Sequence, residues 1–135
     1  MRLQELNEMS ARDLRDAEYV IEWLFKDLNL DVVWTTHFKQ RAEGREADVT
    51  KQELIDMFNK LKQKYGNRLK IARDNHVTIK WVLHDLANDL NIPFTIDFDQ
   101  ENPWKNKYHL RGITILRKDP KEFRKNAEGG QDVWV

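Results

Sequence analysis

Residues 35–66 read TTHFKQRAEGREADVTKQELIDMFNKLKQKYG and divide at Glu46-Ala47-Asp48-Val49 into two helices of different kinds. The second is the better specified. Thr50-Lys51-Gln52-Glu53 has the form of a capping box, and Leu54, Met57, Phe58, Leu61 and Tyr65 follow at three- and four-residue steps. That spacing buries one stripe of a helix, and Gly66 stands where a C-cap glycine would end it. The first helix is short and basic. Thr36 is placed to cap it, Gly44 to end it, and His37, Arg41 and Arg45 recur at four-residue steps. At helical pitch those three lie within one broad face.

Upstream, Ser10 and Asp13 suit an N-terminal cap. Leu14, Ala17, Ile21, Leu24, Phe25 and Leu28 then mark an amphipathic helix over about 11–28, with Asn29 at its end. Val32-Val33-Trp34 predicts a short strand or an extended link. Downstream the period changes to two. Val77, Ile79, Trp81 and Leu83 alternate with Thr78, Lys80, Val82 and His84, which puts His84 on the polar face. Ile92, Phe94, Ile96 and Phe98 form a second strand, with Pro93 suggesting an edge or a bulge. DLANDLN between them reads as a loop or one helical turn. A polar loop at 99–106 leads to YHLRGITIL, Tyr108–Leu116, a strand apolar enough to be central. The tail from Asp119 reads as loosely ordered, ending in an apolar Val133-Trp134-Val135 able to dock.

The expectation is one α+β domain over 1–135, with 1–9 and 119–135 peripheral. N-terminal helices pack on a small, mainly antiparallel sheet of three to four strands. Lys and Arg number 23, as do Asp and Glu, so net charge is zero. That balance argues against non-specific coating of nucleic acid but leaves room for a local basic patch. The chain has no cysteine, which removes disulfides, thiolate nucleophiles and thiolate metal sites. No apolar run approaches membrane-spanning length, and the N-terminus lacks the form of a secretory signal. The four histidines are scattered, and no nucleotide-binding or hydrolase signature is present, so neither a metal nor a cofactor is expected.

Histidine titrates near neutrality, and guanidiniums bind phosphate bidentately, so His37 with Arg41 and Arg45 makes a candidate acid–base and phosphate-binding group. The same pattern also suits a solvated helix surface balanced by Glu43 and Glu46. Arg117 and Lys118 close the strand motif T-I-L-R-K with Thr114 and can point into a cleft, or snorkel into water. His84 and His109 are reserve candidates, and Trp104, in a polar loop, can stack on a base or meet a partner.

The motifs H-F-K-Q-R-A-E-G-R, V-T-K-Q-E-L, L-N-I-P-F and T-I-L-R-K, within about Asp31–Lys118, together resemble a family of phage-encoded proteins. These are assigned to the barnase–EndoU–colicin–RelE-like (BECR-fold) metal-independent ribonucleases. The resemblance implies helices on a four-stranded sheet, an active site on the sheet's exposed face, and RNA cleavage by acid–base chemistry. It carries His37, Arg41, Arg45 and Arg117 over as catalytic residues, and in such a nuclease Lys118 would assist them in holding the phosphate. The partner it implies is RNA, in a host cytoplasm. The alternative is a non-catalytic phage protein of that fold that binds a host factor or serves in the virion.

Overall fold

The computed structural model describes residues 9–44, 48–123 and 130–135. Helix α1 is Ala11–Leu24, followed by a 3-10 turn at Lys26–Leu28 and strand β1, Leu30–Trp34. Helices α2, Thr36–Glu43, and α3, Lys51–Asp74, come next. Strands β2, Ile79–Asp85, β3, Leu90–Asn102, β4, Lys107–Gly112, and β5, Leu116–Arg117, follow. A short α4, Pro120–Phe123, and β6, Gln131–Trp134, complete the order. The class is α+β, as expected, but the sheet has six strands in the order β1-β4-β3-β2-β6, with β5 also paired to β3. It is mixed rather than mainly antiparallel, because β1 runs parallel to β4 and β6 parallel to β2. No described helix is long and apolar enough to cross a membrane.

The starts of α1 and α3 follow the expected caps, whereas α2 is capped by Thr35 rather than Thr36, Thr35 Oγ1 accepting the Phe38 amide at 3.1 Å. Ser10 Oγ accepts the Asp13 amide at 3.0 Å and Asp13 accepts the Ser10 amide at 3.3 Å. Thr50 and Glu53 make the same reciprocal pair at 3.1 and 3.0 Å. Two helix ends differ from expectation. Alpha-helical geometry stops at Leu24, and Asn29 takes a left-handed φ of 57° after the 3-10 turn. Gly66 does not end α3, which runs eight residues further to Asp74. Leu69 and Ala72 extend the buried stripe past Gly66, and their burial outweighs the roughly 1 kcal/mol that an interior glycine costs a helix.

One face of the sheet makes the core. The register aligns Val32 with Leu110, Leu110 with Ile96, and Ile96 with Ile79, and all four are buried. Phe58 of α3 sits against Phe94 and Trp34, with ring centroids 6.1 Å away in each case, and Tyr65 packs edge-on to Trp81 at 5.8 Å. Trp34 also stacks on Phe38 of α2 at 4.3 Å.

Pro93 lies neither on an edge nor at a bulge, because β3 is flanked on both sides. Its carbonyl accepts Ile113 N–H at 2.9 Å, on the side where the chain leaves the sheet between β4 and β5. Its own missing N–H faces that same break, so no ladder bond is lost. The irregularity in β3 falls instead between Ile96 and Glu101. The strand expected over Tyr108–Leu116 is likewise interrupted at 113–115. DLANDLN is the tight end of the β2–β3 hairpin, where the buried Asp85 accepts the Ala87 and Asn88 amides. The closing apolar residues of the tail do dock, as the strand β6. Val133 of β6 is buried in the core, and Tyr65 Oη bonds both the amide and the carbonyl of Trp134.

Candidate active site

The outer edge of β1 is where titratable groups gather. Glu22 and Glu18 stand one turn apart on α1, and Glu22 reaches β1, where its Oε2 accepts the Val32 N–H at 2.9 Å. That contact blunts an exposed sheet edge. Asp31, one residue before Val32, is buried to within 7% of full cover. It lies opposite His109 in the β1–β4 register, and His109 Nε2 is 3.9 Å from its carboxylate. The β3–β4 hairpin tip closes over it. Lys105 Nζ and Asn102 Nδ2 each donate to Asp31 at 3.3 Å, and Asn29 Nδ2 ties the tip to β1 through the Asn106 carbonyl.

Glu18, Glu22, Asp31 and Lys105 line a cleft of about 290 Å³ between α1, β1 and the hairpin tip, with Arg15, Tyr19, Lys39 and Trp34 among its other walls. Burial pushes the Glu22 carboxyl above the ordinary carboxylate range. The Asp31 carboxylate raises it further, by hydrogen bonding and by charge, while the Val32 amide and Lys107 oppose the shift. Glu18 is raised by burial first and then by Glu22 and Asp31, against Lys39 and Arg15. A carboxyl with a raised pKa next to a second carboxyl is an arrangement acid–base catalysis uses, and a cleft is where such pairs have functional meaning. Among the described residues no group of three His, Cys, Asp or Glu side chains is placed to hold a metal ion.

The residues expected from sequence are dispersed. His37 and Arg41 do meet, with Arg41 Nε donating to His37 Nε2 at 3.3 Å on the exposed surface of α2. Neither residue lines the cleft. Lys39, which does, lies on the other flank of α2, since Phe38 and Ala42 turn the face between them into the core. Arg45 lies outside the described residues.

Arg117 is a clamp. Its guanidinium donates to the carbonyls of Asn88 at 2.7 Å and Asp48 at 2.6 Å, and to Glu53 at 3.0 and 3.2 Å. It thereby joins β5 to the β2–β3 turn and the start of α3. Thr114 Oγ1 is buried without a hydrogen-bond partner among the described residues, so it does not face an incoming substrate. Lys118 is exposed, and its carbonyl accepts from Asn91 at 3.0 Å.

His84 is fully buried, not on a polar surface. Its Nδ1 is 2.6 Å from Asn91 Oδ1, its Nε2 is 2.6 Å from Asp132 Oδ1, and its ring stacks on Trp134 at 4.4 Å. Asn91 Nδ2 is committed to the Leu116 and Lys118 carbonyls, which fixes the amide orientation and makes His84 Nδ1 the donor. Alternation alone placed His84 on a polar face, where Asn91, Asp132 and Trp134 in fact enclose it. Trp104 sits at the hairpin tip next to Lys105 and is 92% exposed. His109 is the one reserve histidine that the fold brings to the cleft's acidic cluster.

Sequence reading missed Glu18, Glu22 and Asp31 as a group. The four-residue step from Glu18 to Glu22 was legible, but helix 11–28 was read for its apolar stripe, and nothing local announces that Asp31 is folded against its polar flank.

No protein-family model matches the chain, and no solved structure matches it. It is similar to a protein of Neurospora crassa named UV-damage endonuclease, at 28% identity over 123 residues. The aligned part is 87% of this chain and 18% of that protein, so the chain spans less than a fifth of its relative's length.

Proposed function

We propose that the chain acts on nucleic acid as a nuclease domain, with its acid–base chemistry in the α1/β1 cleft and RNA as its substrate. The observation that carries this reading is Glu22, its pKa raised by burial and by Asp31 beside it, in a cleft walled by Arg15, Lys39 and Lys105. The cations hold the scissile phosphate and neutralise charge as it develops. Asp31 takes the 2′-hydroxyl proton, O2′ attacks phosphorus, and the P–O5′ bond breaks. Glu22 protonates the leaving 5′-oxygen, and the products are a 2′,3′-cyclic phosphate and a free 5′-hydroxyl. Trp104, beside Lys105 at the cleft's rim, stacks on a base. His37 and Arg41 contact the strand's backbone rather than the reacting atoms. The similarity to a protein named as an endonuclease supports phosphodiester chemistry, and so does the motif resemblance to phage-encoded BECR-fold ribonucleases.

The test is cleavage of an RNA in EDTA, compared with the same strand carrying one 2′-deoxynucleotide at the cut position. The reading expects cleavage with a cyclic phosphate end for the first and none for the second. Equal cleavage of both would remove the internal nucleophile.

A second reading has its own support. Tyr19 and Trp23 on α1 are each 64% exposed, and with Trp104 they offer apolar surface to a protein. A non-catalytic protein that binds a host factor or serves in a virion would retain its partner in a pull-down after Glu22→Gln and His37→Ala, and would cut no RNA.

A further inference from the structure

The zero net charge of the chain hides a strong local imbalance. From Lys60 to Arg73, α3 carries Lys60, Lys62, Lys64, Arg68, Lys70 and Arg73 and no acidic residue. Four of the six cations have work inside the fold. Lys60 pairs with Asp85 at 3.3 Å, and Arg73 with Asp74 at 3.0 Å and the Asp27 carbonyl at 2.6 Å. Arg68 bonds Gln131 and lies 5.0 Å over the Trp81 ring, and Lys64 lies 5.8 Å over Tyr65. Lys62 and Lys70 are exposed and have no acidic partner among the described residues.

These two lysines flank Gly66 at four-residue steps, so all three share one face and the lysine Cα atoms are about 12 Å apart along the axis. Gly66 is helical, and a Cβ built on it meets nothing within 4 Å. No packing requirement inside the chain explains a glycine in mid-helix. What its absence of side chain creates is a depression of about 190 Å³, walled by Lys62, Asn67 and Lys70 and floored by Phe25 and Leu28, with Asp27 on its rim.

We infer that this face of α3 is a docking site for the phosphate backbone of a nucleic acid. A phosphate seats over Gly66 between Lys62 and Lys70, and the Asn67 amide is in reach of its oxygens. The chemistry recognised is the phosphodiester, which RNA and DNA share, so docking here is separate from any 2′-hydroxyl requirement of the cleft. The site deepens the nucleic-acid reading above by giving a long strand a second anchor away from the cleft.

Binding is measured by fluorescence anisotropy with a labelled single strand, once as RNA and once as DNA, on the 135-residue chain carrying Glu22→Gln, across a salt series. Lys62→Glu with Lys70→Glu is expected to weaken both strands about tenfold or more, and to lower the salt slope by about 1.4 for two lost phosphate contacts. Gly66→Ala is expected to weaken binding while folding is kept. With otherwise wild-type protein, the double lysine variant should cut a dinucleotide at the parental rate and a long RNA more slowly. Unchanged affinity and slope in both the double lysine variant and Gly66→Ala overturn the docking site, even if RNA is cut. So does failure of the parent to bind either strand at low salt. Loss of binding only for RNA shows that the 2′-hydroxyl rather than the phosphate is recognised, and also overturns it. Normal lysine-dependent binding without any cleavage overturns the cleft chemistry and leaves the docking site standing.

Discussion

Glu22 Oε2 lies 2.9 Å from the Val32 amide, so the carboxyl that closes the free edge of the sheet is the same one whose pKa burial and Asp31 raise. A structural role and a chemical one therefore share a side chain. Gln separates them, because its oxygen still accepts the amide while the group no longer titrates.

The first consequence is for stability against pH. Glu22's folded pKa is raised, so the folded protein binds its proton more tightly than the unfolded chain does. That contribution is fully present below the ordinary carboxylate pKa and is lost as pH rises through the folded value. Urea unfolding from about pH 4 upward should show Glu22→Gln gaining on the parent as pH increases, then levelling once Glu22 has ionised. Glu18 is shifted in the same direction and leaves part of the slope in place. A difference that is constant or shrinks with pH would contradict the assignment.

Two glycines should respond oppositely to alanine. A Cβ at Gly112 would fall 2.6 Å from Trp34 Cε3 and 3.2 Å from Phe38 Cδ2, against a stacked pair that has nowhere to move. Gly112→Ala should cost about 1–3 kcal/mol, as overpacking does. Gly66→Ala meets open space and should stabilise by about 0.5–1 kcal/mol through helix propensity. Thermal melts of both variants check the pair.

How much of this was visible in the chain differs by element. The caps at Ser10 and Thr50, the α3 stripe from Leu54 to Tyr65 and the β2–β3 hairpin were legible because each is written within a few neighbouring residues. The parallel pairing of β1 with β4 was not, since Val32 and Leu110 meet only after most of the chain has intervened. Without that pairing Asp31 has no known neighbours, which is why the cleft went unread. Arg117 was noticed as a cation, but its partners Glu53, Asp48 and Asn88 lie far away in sequence, and they make it a joint instead of a free phosphate ligand.

His84 should matter to the fold rather than to substrate. Replacement by Phe leaves the Asn91 oxygen and the Asp132 carboxylate without their shared imidazole partner, at an expected cost of about 2–4 kcal/mol. The loss should concentrate in β6, which carries Asp132 and Trp134. Hydrogen exchange of the 131–134 amides should accelerate more than that of the β3 amides. Equal protection in the variant would show that the network does not hold the strand.

Trp104, exposed at the hairpin tip, has little folding role to lose. Trp104→Ala should leave the melting temperature within about a degree or two, and weaken single-strand binding by about 1 kcal/mol or more if one base stacks there. A titration by anisotropy reads this directly, and unchanged affinity would remove Trp104 from the binding surface.

The central claim rests on the Glu22 proton. Single-turnover cleavage of an RNA in EDTA, followed over a pH series for the parent and for Glu22→Gln, measures it most directly. The account predicts a parental rate that falls as pH rises through the raised Glu22 pKa, and a variant slower by about a hundredfold or more, the range of a lost general acid. A Glu22→Gln protein that cuts as fast as the parent with the same pH profile would contradict it.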